Sequence, residues 1–218
     1  MYWADARAGK IQRGNLDGSE VEDLITSGLD EPSAIVLDVA GGRVYWTETP
    51  YLQPGRIRRA NLDGSNVEDL VTDFSGSWGM ALDAAGGKMY WTASGPSRIQ
   101  RANLDGSDIE DLVATGLGSP RGIALDLTAG QMYWATFNPS KIQRANLDGS
   151  DVEDLVTTGL LVPHAIALDL RPTAIPTLSE WGMLAMTILL LASGAIVIAR
   201  RSPSSPRGGK GSIAHADH

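Results

Sequence analysis

The chain has 218 residues, with 18 Lys and Arg against 26 Asp and Glu, a net charge of −8 and no cysteine. A negative net charge disfavours nucleic-acid binding, because contacts to phosphates supply most of that affinity. The lack of cysteine excludes disulfide scaffolds, thiolate nucleophiles, iron–sulfur clusters and cysteine-ligated zinc sites. An apolar fraction of 43% is typical of a folded globular chain rather than a disordered one.

The charge is distributed unevenly along the chain. Residues 1–170 carry 13 Lys and Arg and 24 Asp and Glu, a net charge of −11. Residues 171–218 carry 5 Lys and Arg and 2 Asp and Glu, a net charge of +3. This asymmetry indicates that the two segments lie in different surroundings.

Residues 1–170 contain four copies of one repeat unit. A Tyr-Trp pair marks each copy, and successive pairs are 43, 45 and 43 residues apart. Each copy continues with an Asn-Leu-Asp-Gly-Ser segment, a Glu-Asp-Leu segment and an apolar run that ends in Leu-Asp. The second copy has a short insertion around residues 51–54, which indicates a longer loop. The pairs are Tyr2-Trp3, Tyr45-Trp46, Tyr90-Trp91 and Tyr133-Trp134.

Within a unit the pattern predicts four short strands. In the second unit these are the apolar run Ala34–Leu37, the alternating run Arg43–Thr47, Arg56–Leu62 and the outermost Val67–Thr72. The Asp-Gly pair between the third and fourth of these strands indicates a tight hairpin turn with positive φ angles. Four strands in a unit of about 42 residues predict an all-β fold, a β-propeller of four-stranded blades. A solenoid is the alternative, although its coils are usually shorter.

The units resemble the YWTD repeats of the low-density lipoprotein receptor family, whose blades carry Tyr-Trp-Thr-Asp on the second strand. The resemblance covers residues 1–170 and implies propeller blades of the kind that occur six to a ring in that family. The copies here read Tyr-Trp-Ala-Asp, Tyr-Trp-Thr-Glu, Tyr-Trp-Thr-Ala and Tyr-Trp-Ala-Thr, so Asp5 alone keeps the Asp of the motif, and the third and fourth copies have no acid there. The cysteine-rich modules that flank receptor propellers are missing, which points to a bacterial relative.

The strand count predicts about four blades, incomplete at both ends. The sequence begins in the second strand of one blade, gives three full blades, and ends with the first strand of another, Ile166–Leu168. The run 163–169 could pair beside Tyr2 and close a four-bladed ring. We expect an open arc instead, because blades shaped for a six-fold ring do not readily tighten to four. Met1 occupies a position that ordinary repeat residues fill in the other copies, which predicts that further repeats precede it.

Residues 171–218 carry a different kind of signal. Residues 171–181 are interpreted as a linker, and residues 182–199 contain no charged side chain. These 18 residues would form a helix of about 27 Å, close to the thickness of a bilayer core, which predicts one transmembrane helix. The basic residues of the segment 200–218 predict a disordered cytoplasmic tail, with the acidic repeats outside the cell.

A motif directly precedes the predicted helix. Together with the helix and the basic residues after it, the motif resembles the IPTL-type C-terminal sorting signal of Gram-negative bacteria. The resemblance implies that an exosortase-like membrane enzyme recognises and cuts the segment, and that the protein moves from the membrane to the cell surface or the medium. Pro176 would keep the backbone extended and accessible to that enzyme. The motif residues are Ile175, Pro176, Thr177, Leu178, Ser179, Glu180 and Trp181.

The residues of the repeats do not indicate catalysis, a metal site or a cofactor. The Asn-Leu-Asp-Gly-Ser segments begin like calcium loops, but further ligands do not follow at the required spacing, so they are interpreted as turns. Adjacent acids such as Glu22 and Asp23 point to opposite faces of a strand and are interpreted as solvated edge charges rather than a catalytic pair.

The position just before the innermost strand differs in each copy, which makes its residues candidates for binding on the propeller face. The leading hypothesis is a non-enzymatic bacterial surface or secreted protein that binds a protein or glycan partner there. One alternative is a fragment of a propeller enzyme of the lactonase or hydrolase type, whose site lies in missing blades. Another is a gene fragment without a function of its own. The candidate binding residues are Ser33, Trp78, Arg121 and His164.

Overall fold

The computed structural model describes residues 1–50, 54–74 and 76–170, which form fifteen β-strands and no helix. The strands are β1 Tyr2–Asp5, β2 Lys10–Arg13, β3 Glu22–Ile25, β4 Pro32–Asp38, β5 Arg43–Glu48, β6 Gly55–Asn61, β7 Glu68–Phe74, β8 Met80–Asp83, β9 Lys88–Ser94, β10 Ser97–Asn103, β11 Glu110–Val113, β12 Pro120–Asp126, β13 Gln131–Phe137, β14 Ser140–Asn146 and β15 Glu153–Val156.

The strands form four antiparallel sheets, each a meander in chain order. Blade I has three strands, β1–β3, and blades II, III and IV have four each, β4–β7, β8–β11 and β12–β15. The innermost strands β4, β8 and β12 lie side by side. The predicted all-β architecture of four-stranded propeller blades is confirmed, and the four strands expected in the second unit correspond to β4–β7.

The expected last strand, Ile166–Leu168, is not formed. Residues 162–170 have no strand assignment, and within the described residues the ladder partner of β1 is β2. In each complete blade the innermost strand pairs with the second strand of its own blade, and within the described residues the segment 162–170 has no ladder partner. The segment lies beside blade IV instead, where the amide of Gly122 donates to the carbonyl oxygen of His164 at 2.8 Å.

The Tyr-Trp pairs hold neighbouring blades together. Adjacent residues of a strand point to opposite faces of the sheet, so the two rings of a pair pack against different blades. Tyr45 packs toward blade III and Trp46 toward blade I. Trp91 and Trp134 pack in the same way against blades II and III. The interpretation of these pairs as inter-blade core is confirmed, since Trp46, Trp91 and Trp134 are fully buried.

On the tyrosine face, an arginine ties each blade to the next one. Its guanidinium lies over the tyrosine ring of its own blade, with a separation of 5.9 Å in blades II, III and IV, and pairs with a glutamate of the outermost strand. In blades I, II and III it also donates, at 3.0 Å, to the carbonyl oxygen of the leucine in the next blade's Asn-Leu-Asp-Gly-Ser turn. The four arginines are Arg13, Arg59, Arg101 and Arg144.

On the tryptophan face, blades I, III and IV share a polar chain of Trp, Gln and Asp. The indole N–H donates to the Gln amide oxygen at 2.9, 3.0 and 3.1 Å, and the Gln amide donates to the Asp carboxylate at 2.7, 2.8 and 2.7 Å. A Lys or Arg two residues before the Gln pairs with the same Asp. The chain thus satisfies the indole N–H within the blade, which a half-buried or buried tryptophan requires.

Blade II replaces this chain with a buried ion pair. Arg58 stands in the place of the Gln, and Glu48 accepts the indole N–H of Trp46 at 2.9 Å. Glu48 is fully buried and accepts from Arg56 at 2.6 Å and from Arg58 at 3.1 Å, while Arg58 also pairs with Asp69 at 2.6 Å. The Glu in the fourth position of the Tyr-Trp motif therefore compensates for the charge that Arg58 introduces.

The Asn-Leu-Asp-Gly-Ser segments form tight turns, but the predicted positions of the positive φ angles are only partly right. In blade II the amide of Gly64 donates to the carbonyl oxygen of Asn61 at 2.9 Å, and the amide of Asn61 donates to the carbonyl oxygen of Ser65 at 2.9 Å, so the loop has three residues. Positive φ angles occur at Gly64 and Asn66 instead of at Asp63 and Gly64. The carboxylate of Asp63 accepts from the amide and the hydroxyl of Ser65, which holds Asp63 in an ordinary conformation and keeps its pKa below the usual value.

The buried pair in blade II leads to the first prediction. Glu48→Gln leaves Arg56 and Arg58 without their buried counter-charge, which typically costs about 3 kcal/mol. The double variant Glu48→Ala, Arg58→Gln recreates the residues of blade III, Ala93 and Gln100, and we expect it to recover most of that loss. Urea denaturation followed by circular dichroism measures both free energies of unfolding.

The control is Glu22→Gln, which removes an exposed partner of Arg13 and should cost less than about 1 kcal/mol. A double variant no more stable than Glu48→Gln would contradict the assignment of Arg58 and Glu48 as a compensating pair.

Candidate interaction site on the propeller face

The predicted binding residues lie where the chain passes from one blade to the innermost strand of the next. Ser33 is in β4, Trp78 comes two residues before β8, Arg121 is the second residue of β12, and His164 follows blade IV. They occupy equivalent positions in successive repeats. The structure brings Trp78 and Arg121 into contact, and the backbone of His164 lies beside that of Gly122. Ser33 lies on β4, outside this group.

Two glycines allow the neighbouring segments to approach closely. A Cβ atom on Gly79 would lie 2.4 Å from the carbonyl oxygen of Arg121, and one on Gly122 would lie 2.8 Å from the Cα atom of Ala165. Both distances are shorter than van der Waals contact, so the close backbone approach requires glycine here. The approach at Gly79 places the side chain before it, Trp78, beside Arg121.

The guanidinium of Arg121 lies close to two aromatic rings. Its central carbon lies 4.3 Å from the ring centroid of Trp78 and 5.4 Å from that of Phe137. Cations within about 6 Å of an aromatic centroid are attracted by the ring's quadrupole. The rings come from two blades, because Trp78 precedes blade III and Phe137 ends β13 of blade IV. We call Trp78, Arg121 and Phe137 the aromatic stack.

The aromatic stack is exposed to solvent. The exposed fractions are 46% for Trp78 and 40% for Phe137, in contrast to the buried tryptophans of blades II, III and IV. Exposed large aromatic side chains beside an arginine are characteristic of interaction surfaces. Sequence reasoning missed Phe137, although a signal was present: the other complete repeats place Thr49 and Ser94 at this position.

Arg121 differs from the repeat arginines in its electrostatics. Arg13, Arg59, Arg101 and Arg144 each pair with a glutamate. Within the described residues the side chain of Arg121 forms no ion pair or hydrogen bond, and its Nε atom is buried, as are those of Arg59 and Arg101. The two terminal NH2 groups of Arg121 are therefore the donors that it can offer to an external acceptor such as a carboxylate.

The innermost strands also surround an open cavity of about 560 Å³. Its lining is mostly aliphatic and comes from β1, β4, β8 and β12, including Val36, Ala81 and Ala124. The side chains of the aromatic stack do not line it. In the described part of the chain, His, Asp and Glu side chains form no group of three that could hold a metal ion.

The adjacent acids of the outer strands have structural partners. In blade I, Glu22 pairs with Arg13, whereas Asp23 accepts from Lys10 and Gln12 on the opposite face of the strand. Lys10 is the larger cause of the lowered pKa of Asp23, and Gln12 the next. The interpretation that the two carboxylates point to opposite faces of the strand is confirmed. Both carboxylates also form ion pairs within the blade, so they are more than solvated edge charges.

The fold and the repeated contacts agree with a match to a known family. The sequence profile of the low-density lipoprotein receptor repeat class B matches residues 1–39, 87–127 and 130–170, more than half of the chain. The chain belongs to the class B repeat family of the low-density lipoprotein receptor. The matched ranges leave out residues 40–86, the part of the class B propeller that holds the inserted loop and the pair of Glu48 and Arg58.

Known members of the class B family are similar to this chain over stretches of about one repeat. A stretch of 48 residues is 42% identical to low-density lipoprotein receptor-related protein 5 of Mus musculus, covering 22% of this chain and 3% of that protein. A stretch of 49 residues is 33% identical to nidogen of Drosophila melanogaster, covering 22% of this chain and 4% of that protein. The chain therefore matches only a small part of the length of these relatives.

Solved structures extend the likeness to the whole set of blades. The structure of a nidogen and laminin complex matches with a TM-score of 0.69 and 30% identity, over 74% of this chain and 64% of that chain. A gluconolactonase from Xanthomonas campestris matches with a TM-score of 0.63 and 18% identity, over 75% of this chain and 60% of that chain. The second likeness shows the propeller fold alone, and the alternative of a propeller enzyme stays a prediction.

The C-terminal signal lies outside the described residues. The profile of the IPTL-CTERM motif matches residues 173–201, which confirms the resemblance seen in the sequence. The motif residues Ile175–Trp181, the predicted helix 182–199 and the tail 200–218 belong to this part of the chain. A search of the described part for a helix that could span a bilayer finds none.

Proposed function

We propose that this chain is a non-enzymatic bacterial surface protein that binds a protein partner through the propeller face bearing the aromatic stack. The observation that carries the proposal is the exposed cluster of Arg121 with Trp78 and Phe137, in which the cation forms no ion pair within the described residues, whereas repeat arginines such as Arg59 pair with a glutamate. Class B membership supports a binding role, since the related nidogen has been solved in a complex with laminin.

The shape of the site favours a protein over a small ligand. Small-molecule sites are concave and bury most of their ligand. The aromatic stack lies outside the central cavity and presents two partly exposed rings around one cation. Trp and Arg are enriched among the residues that dominate protein–protein affinity. A partner that covers the stack would remove both rings from water and leave the cation in a medium of lower dielectric, where its hydrogen bonds are stronger.

The IPTL-CTERM match supports the cell surface as the place of action. By this proposal residues 182–199 hold the chain in the membrane with the propeller outside, and an exosortase-like enzyme cuts near Ile175–Leu178. The net charge of −11 on residues 1–170 and of +3 on residues 171–218 has the direction expected for that topology. Cleavage would then leave the propeller at the surface or in the medium.

The sorting step can be tested with two proline variants of an epitope-tagged chain in a host that has the sorting enzyme. Pro176→Ala lies inside the motif and should cause the uncut form to accumulate in the membrane fraction, because the motif can then extend the helix. Pro172→Ala lies before the motif and should be processed like the wild type. Fractionation and immunoblotting distinguish the outcomes. Soluble cytoplasmic protein in all three strains would contradict the proposed localisation.

The binding face can be tested by cross-linking on intact cells. We expect Trp78→Ala to weaken the partner complex by about 30-fold, since residues at the centre of an interface contribute about 2 kcal/mol or more. The matched control is Leu127→Ala, because Leu127 is 45% exposed and lies in the turn after β12, at the other end of that strand from Arg121. Equal cross-linking of Trp78→Ala and wild type would contradict the assignment of the face.

A further inference from the structure

We propose that Arg121 is a receptor for a carboxylate, and that the aromatic stack binds a peptide segment in which an Asp or Glu is flanked by apolar residues. This inference rests on the proposed function and names the chemistry of the partner. It follows from three features of the stack: a cation without an ion-pair partner in the described residues, two aromatic rings within cation–π distance of it, and exposed apolar surface on those rings.

Arg121 lacks the counter-charge that most arginines of the blades have. Arg59 and Arg101 pair with Glu68 and Glu110 of the outer strands, and Arg56 pairs with Glu48 inside blade II, whereas Arg43 bonds to the amide oxygen of Asn61. Arg121 interrupts this pattern, because within the described residues it contacts rings and no acid. A guanidinium that is partly removed from water and unpaired is a favourable donor for an incoming anion.

Two rings lie within cation–π distance of the Arg121 guanidinium, at 4.3 Å from the ring centroid of Trp78 and 5.4 Å from that of Phe137. The terminal N–H groups of a guanidinium can form parallel hydrogen bonds to the two oxygens of a carboxylate. The rings also restrict the side chain before binding, which lowers the entropic cost of forming the complex.

The charge and the surface around Arg121 favour an acidic peptide over other anions. The stack supplies one positive charge, which a carboxylate neutralises and a phosphate dianion exceeds. The exposed parts of Trp78 and Phe137 offer apolar contact area beside the cation, which suits a peptide whose acidic residue has apolar neighbours. The rest of the propeller is strongly acidic and repels anions, so an acidic segment binds where Arg121 is and not elsewhere.

The test uses the full chain and two fluorescein-labelled peptides, Gly-Leu-Glu-Leu-Gly and Gly-Leu-Gln-Leu-Gly, both with blocked ends. Fluorescence anisotropy should show that the wild type binds the Glu peptide about 10-fold to 100-fold more tightly than the Gln peptide, the range of a charge-assisted hydrogen bond. Arg121→Gln should abolish this preference. The matched control is Arg98→Gln, which removes the same charge from an exposed pair with Asp111 and should retain the preference.

Competition with acetate, glucuronate and inorganic phosphate identifies the source of the anion. Displacement of the Glu peptide by phosphate or glucuronate at concentrations well below those of acetate would overturn the peptide assignment. Equal binding of the two peptides by the wild type, or an unchanged preference in Arg121→Gln with a wild-type thermal unfolding curve, would overturn the carboxylate receptor itself.

These results are separable from a failure of the proposed function. If the peptides bind equally while Trp78→Ala still loses the cellular partner, the face binds without a carboxylate contact. If Trp78→Ala and Leu127→Ala both retain the partner and the peptides bind equally, both proposals are wrong.

Discussion

The alternation of a β-strand is the constraint on which this propeller depends. Because neighbouring side chains point to opposite faces, a Tyr followed by a Trp places one large ring against the next blade and the other against the preceding blade. The core between blades II and III, for example, contains Tyr45 from one side and Trp91 from the other. Burial of such rings supplies most of the favourable free energy of blade packing, and each contributes roughly 2–3 kcal/mol. The Tyr-Trp pair therefore determines the spacing of neighbouring blades and contributes to the stability of the propeller.

Much of the fold could be predicted because it depends on patterns that repeat. The strand order, the inter-blade role of the Tyr-Trp pairs and the turns all follow from alternation and from turn residues within a single unit. The errors fall where contacts between strands decide the outcome. Residues 166–168 are apolar like an innermost strand, but a strand needs a ladder partner. The ion pairs of Glu48 with Arg56 and Arg58 were not predicted, because they depend on which residues β6 places beside Glu48 within blade II.

The candidate site was only partly predictable for the same reason. Variation between repeats identified Trp78 and Arg121, but their contact requires Gly79, whose missing side chain lets two blades approach. Phe137 was missed because it sits at the end of an otherwise ordinary second strand, and its role depends on the neighbouring Arg121. The site is thus a product of blade packing. It lies on the propeller face, where the residues before the innermost strands differ from repeat to repeat because they do not form the inter-blade core.

The central claim, that blade packing builds the aromatic stack, can be tested by hydrogen–deuterium exchange. Trp134→Ala removes a fully buried ring between blades III and IV and should cost about 3–5 kcal/mol. We predict faster exchange in residues 76–82 and 118–124 together, because these segments carry Trp78 and Arg121. Trp3→Ala, which alters blade I, should leave both segments protected. Unchanged exchange in Trp134→Ala, or the same increase in both variants, would contradict the claim.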